Sequence, residues 1–341
     1  MTGTSAPLKV LVIRFSSIGD IVLCSPVIRA LKQQLQAEVH VLTKRSYQGI
    51  LEANPYVDRV FGIEKEVTEY LPLLRGEKYD RVIDLHHNLR SWRVRLSLGV
   101  KSHAFDKINL QKWLMVRFKL NFLPRRHIVD RYLDAAGGLG LHNDGAGLDY
   151  FIPSEADISR EALAAKAGFS LDSSFVALVI GAAHATKRLS EDRLIDLCNL
   201  IRQPVILLGG PEDRQRGDII ASIAGGKVWN GCGQFSLHQS AAVVRQAAVV
   251  VTHDTGLMHI AAALGRPIIA IWGNTIPEFG MYPYDPAGVA RHRNFEVPGL
   301  RCRPCSKIGY GHCPNGHFRC MREQPLDEIA AAVVEVFGEK N

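Results

Sequence analysis

The sequence has no apolar run that approaches the roughly 18 residues of a membrane-spanning helix. Its first seven residues, Met1 to Pro7, lack the basic and apolar stretches of a secretory signal. The chain has seven cysteines, an odd number, and Cys24, Cys198 and Cys232 are scattered, which argues against a secreted disulfide framework. We therefore expect a globular protein in the reducing cytoplasm.

Two phosphate-binding signatures are also missing. No GxGxxG follows the first predicted strand, and no GxxxxGKS/T occurs in the chain, so NAD enzymes and P-loop phosphotransferases are disfavoured. No DxD-like pair of carboxylates that would hold Mg²⁺ is evident either. If the ligand contains a diphosphate, a cationic side chain and a helix N-terminus would therefore have to hold it in place of a metal ion.

Short β-branched runs alternate with longer amphipathic stretches, which is typical of parallel strands joined by helices. The glycine-rich stretch 137–147 and Pro153 indicate a linker. We predict an α/β fold of two Rossmann-like domains, 1–152 and 153–325, and a terminal helix within 326–341. The predicted strands are Lys9–Arg14, Glu38–Thr43, Arg59–Ile63, Arg81–Leu85, Phe175–Ile180, Val205–Leu208, Val228–Asn230, Val249–Thr252 and Ile268–Trp272, with a helix over Ser25–Leu35.

The positive charge is concentrated in the first half of the chain. Residues 1–150 contain 22 Lys and Arg against 15 Asp and Glu, whereas residues 151–341 contain 19 of each. Between His86 and Arg131, eleven basic residues face two acidic ones. The stretch is either a solvated face or a surface for nucleic acid, anionic lipid or a phosphorylated substrate.

The segment 251–267 runs from an apolar strand through a turn into a helix. Thr255 and Gly256 can cap that helix and leave its first N–H groups for a diphosphate. Asp254 can accept hydrogen bonds from sugar hydroxyls, and His259, one turn later, can point toward the same anion. The alternative is a structural cap with a core histidine.

Three ordered motifs resemble those of glycosyltransferase family 9, the bacterial lipopolysaccharide heptosyltransferases. They are the opening stretch 13–22 (IRFSSIGDIV), the stretch 187–190 (KRLS) and the stretch 254–259 (DTGLMH). The resemblance implies a GT-B architecture, two Rossmann-like domains around a cleft, with ADP-heptose held mainly by the second domain. It also implies an inverting transfer without a catalytic metal or other cofactor. The chain departs from the family at Leu189 and Ser190, where a tryptophan and a proline are usual.

Inverting transfer needs a carboxylate that deprotonates the acceptor hydroxyl, and Asp20, after the first strand, is our candidate for this general base. The alternative is that Asp20 only caps the following helix. Lys187 matches the family's phosphate-binding lysine, with Thr186 beside it. By the same resemblance Glu212 would bind the nucleotide's ribose, although an exposed capping glutamate is an equal alternative.

The acceptor would be a phosphorylated lipid A core at the inner face of the inner membrane, which makes the protein cytoplasmic or peripheral on that membrane. The basic stretch can bind such an acceptor without any role for nucleic acid. The predicted acceptor-binding residues are Ser17, Gly19, Arg90, Arg93, Arg125 and Arg126.

Four cysteines follow the nucleotide motifs as Cys302-x2-Cys305-x7-Cys313-x6-Cys320. Four thiolates can close a tetrahedral zinc site, although the second pair lacks CxxC spacing. Reduced packed thiols, a structural zinc and a disulfide all remain open. Two other functions also remain open: a GT-B nucleotide-sugar 2-epimerase, and a basic anion-binding protein without enzymatic activity.

Overall fold

The computed structural model describes residues 6–168, 170, 174–288 and 291–338. Contacts between residues divide the chain into two compact units, with the main division between Phe151 and Ile152. The segment Ile108–Arg125 is an exception, because its contacts lie with the second unit although we assigned it to the first. Sequence periodicity does not reveal that this segment groups with the second unit, because the grouping depends on contacts with residues far along the chain.

The first half of the chain forms a five-stranded sheet in the order β3-β2-β1-β4-β5, with every pair parallel. The strands are β1 (Lys9–Ile13), β2 (Glu38–Lys44), β3 (Arg59–Ile63), β4 (Arg81–Asp84) and β5 (Ser102–Ala104). The helices are α1 (Ile18–Val22), α2 (Ser25–Leu35), α3 (Gly49–Glu52), α4 (Leu71–Gly76), α5 (Leu89–Leu98), α6 (Asn109–Phe118) and α7 (Ile128–Ala136).

The second half forms a six-stranded parallel sheet in the order β11-β10-β9-β6-β7-β8. Its strands are β6 (Val176–Val179), β7 (Val205–Leu208), β8 (Val228–Asn230), β9 (Val249–His253), β10 (Ile268–Trp272) and β11 (His292–Glu296). The helices are α8 (Arg160–Ala167), α9 (Glu191–Leu200), α10 (Arg214–Ala224), α11 (Leu237–Gln246), α12 (Gly256–Ala263), α13 (Arg319–Arg322) and α14 (Leu326–Gly338).

Both sheets have the Rossmann order, in which the direction of strand addition reverses next to the first strand. The reversal lies between β1 and β4 in the first sheet and between β6 and β9 in the second. Loops that leave the carboxyl ends of such neighbouring strands diverge, and ligands bind there. The fold therefore marks one edge of each sheet as a candidate site.

The central strands are apolar throughout because helices cover both faces of a parallel sheet. Every residue of β6, β7, β9 and β10 is buried. The terminal helix α14 buries Ile329 and Val333 in the same core, so its predicted packing on a domain is found on the second unit. The last three residues of the predicted segment 326–341 lie outside the described residues.

All nine predicted strands are present within one residue at either end. The sequence pattern missed β5 and β11, which are the edge strands next to β4 and β10. Both are only partly buried, so neither has the apolar run that identifies an inner strand. Among the described residues, no helix is long and apolar enough to cross a membrane.

Candidate functional site

Asp20, the predicted general base, lies in the first turn of α1, the helix that follows β1. Ser17 caps α1, and Asp20 accepts hydrogen bonds from the Ser17 backbone N–H at 3.1 Å and from its hydroxyl at 3.0 Å, both on Oδ2. Oδ1 of the same carboxylate lies 2.6 Å from the Arg14 guanidinium. Asp20 therefore caps the helix and also forms an ion pair, and its side chain is still 19% exposed.

Arg14 is the residue that sequence reasoning missed at this edge. It is buried, and it donates hydrogen bonds to the Ser16 carbonyl at 2.8 Å, to the Tyr132 hydroxyl at 2.8 Å and to the Leu85 carbonyl. Burial opposes its charge, but the Asp20 carboxylate, with smaller contributions from Tyr132 and Cys24, more than offsets this and raises the pKa of Arg14. The guanidinium is thus a fixed cation beside the predicted base.

His86 lies at the carboxyl end of β4, next to β1, with its ring 4.9 Å from that of Phe15. Burial and then the Arg14 charge lower its pKa to about 3. His86 is therefore a neutral group at neutral pH. Among the basic residues predicted to bind acceptor, Arg90 and Arg93 lie on α5, which follows the same strand.

The predicted acceptor-binding residues of the first half differ in their surroundings. Gly19 is buried inside α1, and the Ser17 hydroxyl is already bonded to Asp20. Arg126 pairs with Asp134 through both terminal nitrogens, at 2.7 and 3.1 Å. Arg125 is exposed, and its contacts assign it to the second unit.

Lys187 and Asp254 meet at the carboxyl edge of the second sheet. Lys187 ends a short 3₁₀ turn after β6, and its Nζ lies 2.6 Å from Oδ2 of Asp254, directly after β9. Thr275, after β10, donates a hydrogen bond to the same Oδ2 at 3.1 Å. The loops of three strands therefore converge on one carboxylate.

Thr255 is the N-cap of α12, and its side chain accepts a hydrogen bond from the Met258 backbone N–H at 3.4 Å. Gly256 is the first residue of the helix. The predicted cap is confirmed at Thr255, while the predicted phosphate contact of this helix end remains a prediction. His259 is 2% exposed, which fits a core histidine, and its predicted contact with the anion also remains untested.

The hydroxyl of Thr186 is occupied by another part of the chain. Thr186 is 2% exposed, and its Oγ1 accepts a hydrogen bond from the Tyr310 N–H at 2.8 Å. The Thr186 N–H donates in return to the Tyr310 carbonyl at 3.2 Å. The Thr186 side chain thus holds the loop that carries Lys187, and its predicted contact with the nucleotide sugar stays a prediction.

Glu212 is exposed, and it lies in the 3₁₀ turn that follows β7. The strand β7 is the neighbour of β6 in the sheet. Its neighbour Asp213 is buried and accepts a hydrogen bond from the Gly210 N–H at 3.1 Å. A side chain at Gly181 would bring a Cβ within 2.3 Å of Asp213. Asp213 thus supports the loop, and Glu212 is left available for a ligand.

His253, the last residue of β9, is a further residue that the sequence pattern did not single out. Its Nε2 accepts a hydrogen bond from the Leu189 N–H at 3.1 Å, and burial lowers its pKa to about 3. Leu189, which departs from the family pattern, is buried in the core of the second unit. Together they fix the end of the Lys187 loop against β9.

The four predicted zinc ligands are free thiols, with Cys302, Cys305 and Cys313 half-buried and Cys320 buried. Burial and then the neighbouring thiols raise the pKa of Cys305, and the same causes raise that of Cys320 to about 12. In the described part of the chain, the one set of three or more ligand atoms within 4.8 Å is Glu38, His40 and Glu77. The cysteine sulfurs are farther apart than in such a set, and the predicted zinc stays a prediction.

The Glu38–His40–Glu77 set lies at the amino end of the first sheet, away from the edge that carries Asp20. Lys9 Nζ lies 2.6 Å from Glu77 and 3.0 Å from Glu38. A resident ammonium group fills the position that a cation would take. We interpret this set as a salt-bridge network.

Paired Rossmann-like domains, each with polar loops at its switch point, characterise the GT-B class of glycosyltransferases, and this chain has that fold. The sequence model of glycosyltransferase family 9 (heptosyltransferase) matches residues 70–307. Because the match covers more than half of the chain, the protein belongs to glycosyltransferase family 9, and it is a transferase. The opening stretch with Asp20 precedes the matched range.

Relatives and solved structures agree with this assignment. The chain is 25% identical over 291 residues to lipopolysaccharide heptosyltransferase 1 of Campylobacter coli, covering 79% of this chain and 84% of the relative. It resembles the structure of Escherichia coli ADP-heptose lipopolysaccharide heptosyltransferase II with a TM-score of 0.70, 20% identity and coverage of 98% and 99%. It also resembles the structure of an Escherichia coli heptosyltransferase with ADP, with a TM-score of 0.66 and 19% identity, covering 96% of this chain and 100% of that chain.

Proposed function

We propose that this protein transfers heptose from ADP-heptose to the inner core of lipopolysaccharide, on an acceptor linked to lipid A. The observation that carries the proposal is the placement of Asp20 and Lys187 at the switch points of two like sheets. The names of the relatives, which include lipopolysaccharide heptosyltransferases and an ADP complex, support the choice of donor and acceptor.

The first step in this proposal is proton removal by Asp20. The carboxylate takes the proton from an acceptor hydroxyl as the hydroxyl oxygen bonds to the anomeric carbon of heptose. Oδ1 is paired with Arg14, while Oδ2 is bonded to Ser17. Since the ion pair favours the charged form, Asp20 is held as a base rather than an acid.

The bond from the anomeric carbon to the diphosphate breaks at the same time, with inversion, and ADP leaves with the negative charge. Lys187 is paired with Asp254, the residue before the N-cap of α12, and the lysine and the helix N-terminus both favour that charge. We propose that these two features replace a divalent metal. Asp254, Thr255 and Gly256 would bind the heptose and diphosphate, and Glu212 the ribose.

The acceptor side of the proposal rests on charge. Arg90, Arg93 and Arg125 are exposed, and a phosphorylated core oligosaccharide offers them phosphate oxygens. Such an acceptor is anchored by lipid A, so we propose that the protein works at the inner face of the inner membrane as a peripheral protein.

Calorimetry of the metal-stripped protein with ADP, UDP and GDP tests the donor. We expect selective ADP binding without Mg²⁺, weakened by about tenfold or more in Lys187→Ala, because a charged hydrogen bond to phosphate is lost. Lys166→Ala, at a lysine on α8, is the matched control. Tighter binding of UDP or GDP than of ADP would contradict ADP-heptose as the donor.

Transfer assays with ADP-heptose and a lipid A-linked acceptor test the reaction. Asp20→Asn should reduce transfer by at least about a thousandfold while ADP affinity stays nearly unchanged, with Asp327→Asn as the matched control. Turnover of ADP-heptose without any acceptor would instead indicate the epimerase.

We further propose that the four cysteines bind a structural zinc once their sulfurs close together. In metal-free protein we expect Cys302, Cys305 and Cys313 to react with a thiol reagent before unfolding, because they are half-buried. One equivalent of zinc should protect all three. Equal reaction rates with and without zinc would contradict the zinc site and leave reduced, packed thiols.

A further inference from the structure

Residues 109–122, which we call the aromatic segment, carry large apolar side chains into solvent. The segment comprises α6 and the chain that follows it, and α6 contains no buried residue. Five of its large apolar side chains are exposed by about half or more: Leu110 66%, Trp113 54%, Phe118 55%, Leu120 49% and Phe122 64%. So dense an apolar surface indicates a contact with another body.

The apolar side chains share a face with a cation. Leu110, Trp113 and Arg117 are three and four residues apart, so they lie on the same side of α6, and Arg117 is exposed. The segment contains Lys112, Arg117 and Lys119 and no acidic residue. A surface that is apolar and carries positive charge complements an interface that is apolar and negative.

Contacts within the second unit hold this segment in place. Lys119 Nζ donates hydrogen bonds to the Pro304 carbonyl at 2.6 Å and to the Cys302 carbonyl at 3.2 Å. Near the other end, Lys307 Nζ donates to the Asn109 side chain at 3.3 Å. Lys112 lies 5.8 Å from the centre of the Phe279 ring. Contacts at both ends of α6 therefore anchor the segment that presents the apolar side chains.

The composition of the face favours lipid over nucleic acid or protein. Tryptophan and phenylalanine settle at the level of lipid head groups, and lysine and arginine bind anionic head groups beside them. Single-stranded nucleic acid stacks on aromatic rings, but the exposed aliphatic Leu110 and Leu120 offer it no stacking surface.

We propose that the aromatic segment is a membrane-docking surface, in which Trp113, Phe118 and Phe122 enter the interfacial layer of a bilayer that contains anionic lipid. The segment is distinct from the residues that we assign to donor and acceptor binding. The inference deepens the peripheral location in our proposed function, but its evidence does not depend on the identity of the sugar donor.

Vesicle sedimentation tests this inference with the full chain. We expect binding to vesicles of phosphatidylcholine mixed with phosphatidylglycerol, and weaker binding to phosphatidylcholine alone. The double variant Trp113→Ser/Phe122→Ser should lower the affinity by about tenfold or more, because interfacial binding scales with buried apolar area. The matched control, Ile219→Ser/Ile223→Ser, removes exposed apolar side chains from α10 and should leave binding unchanged.

Charge and depth can be measured separately. Arg117→Glu should weaken binding to the anionic vesicles and leave binding to phosphatidylcholine nearly unchanged, and about 1 M salt should have the same effect on the wild type. The emission of Trp113, obtained as the difference between wild type and Trp113→Phe, should shift to the blue on anionic vesicles. An unshifted emission, or vesicle binding that survives the double variant, would overturn the proposal.

Two other results would also overturn it. One is a dimer that the double variant dissociates, because a second copy would then cover the face. The other is tighter binding of single-stranded RNA than of vesicles, lost in the same variant. Transfer to a delipidated acceptor should be equal in wild type and double variant, so a failed donor assay and a failed vesicle assay are distinguishable.

Discussion

Arg14 and Asp20 form an ion pair of 2.6 Å at the carboxyl end of β1, and the partners of Arg14 make this pair rigid. The guanidinium is fixed by the Tyr132 hydroxyl and by two backbone carbonyls. Breaking a buried ion pair leaves a charge without compensation. In the proposed mechanism Arg14 is therefore a positioning residue, which would act on the acceptor through Asp20.

Arg14→Met should lower kcat by about 10- to 100-fold and destabilise the protein by about 3 kcal/mol. Without the cation, protonation of the carboxyl is easier, so the acid limb of the kcat profile should move to higher pH. The measurement is the pH dependence of transfer. Arg14→Lys should partly restore the limb, whereas a purely structural role for Arg14 predicts reduced stability with no shift of the limb.

Lys187 is already paired with Asp254 in the structure. Loss of Asp254 should therefore affect the binding of ADP and the binding of ADP-heptose differently. In Asp254→Asn the lysine is released from the 2.6 Å pair, so ADP should bind equally or more tightly. The heptose hydroxyls should lose the carboxylate that accepts their hydrogen bonds, and the KM for ADP-heptose should rise by about tenfold. Calorimetry and initial rates measure the two effects, and weaker ADP binding would contradict this division.

Thr186 should influence the donor site through the loop rather than by contact. Thr186→Val removes the hydroxyl that bonds to Tyr310 and should raise the donor KM about fivefold, the equivalent of about one neutral hydrogen bond. The KM for the acceptor should not change. Thr186→Ser keeps the hydroxyl and serves as the control, so an equal loss in both variants would contradict the role of this bond.

His253 should make the protein less stable in acid. Its pKa is about 3 in the folded protein against an ordinary value of 6.5, so below pH 6.5 the unfolded chain binds a proton that the folded chain refuses. The free energy of unfolding should then fall by up to about 1.4 kcal/mol per pH unit between those values. Denaturant unfolding at several pH values should show a shallower dependence in His253→Gln, which keeps an acceptor for the Leu189 N–H. Equal slopes would mean that other groups dominate.

The sequence was sufficient for nine of the strands, because buried parallel strands are apolar throughout, and for the order of the motifs along the chain. Asp254 directly follows β9, Lys187 lies in the loop after β6, and Asp20 lies in the first turn of α1, the helix that follows β1. The edge strands β5 and β11 were missed because partial exposure removes the apolar pattern.

The partners of these residues could not be predicted from the pattern. The contact of Tyr132 with Arg14 spans 118 residues, and that of Tyr310 with Thr186 spans 124. Only tertiary packing brings such groups together, and neither hydropathy nor local spacing records it. The same limit explains why the sequence pattern did not group segment 108–125 with the second unit.

The Thr186–Tyr310 contact also has a consequence for synthesis of the chain on the ribosome. The strand that leads into the Lys187 loop is made early in the second unit, but the backbone that supports the loop arrives only when translation has passed residue 310. A nascent chain that ends before that point contains every donor motif and still lacks this support. Premature stop codons between the last donor motif and residue 310 should therefore be as damaging as those in the motifs themselves.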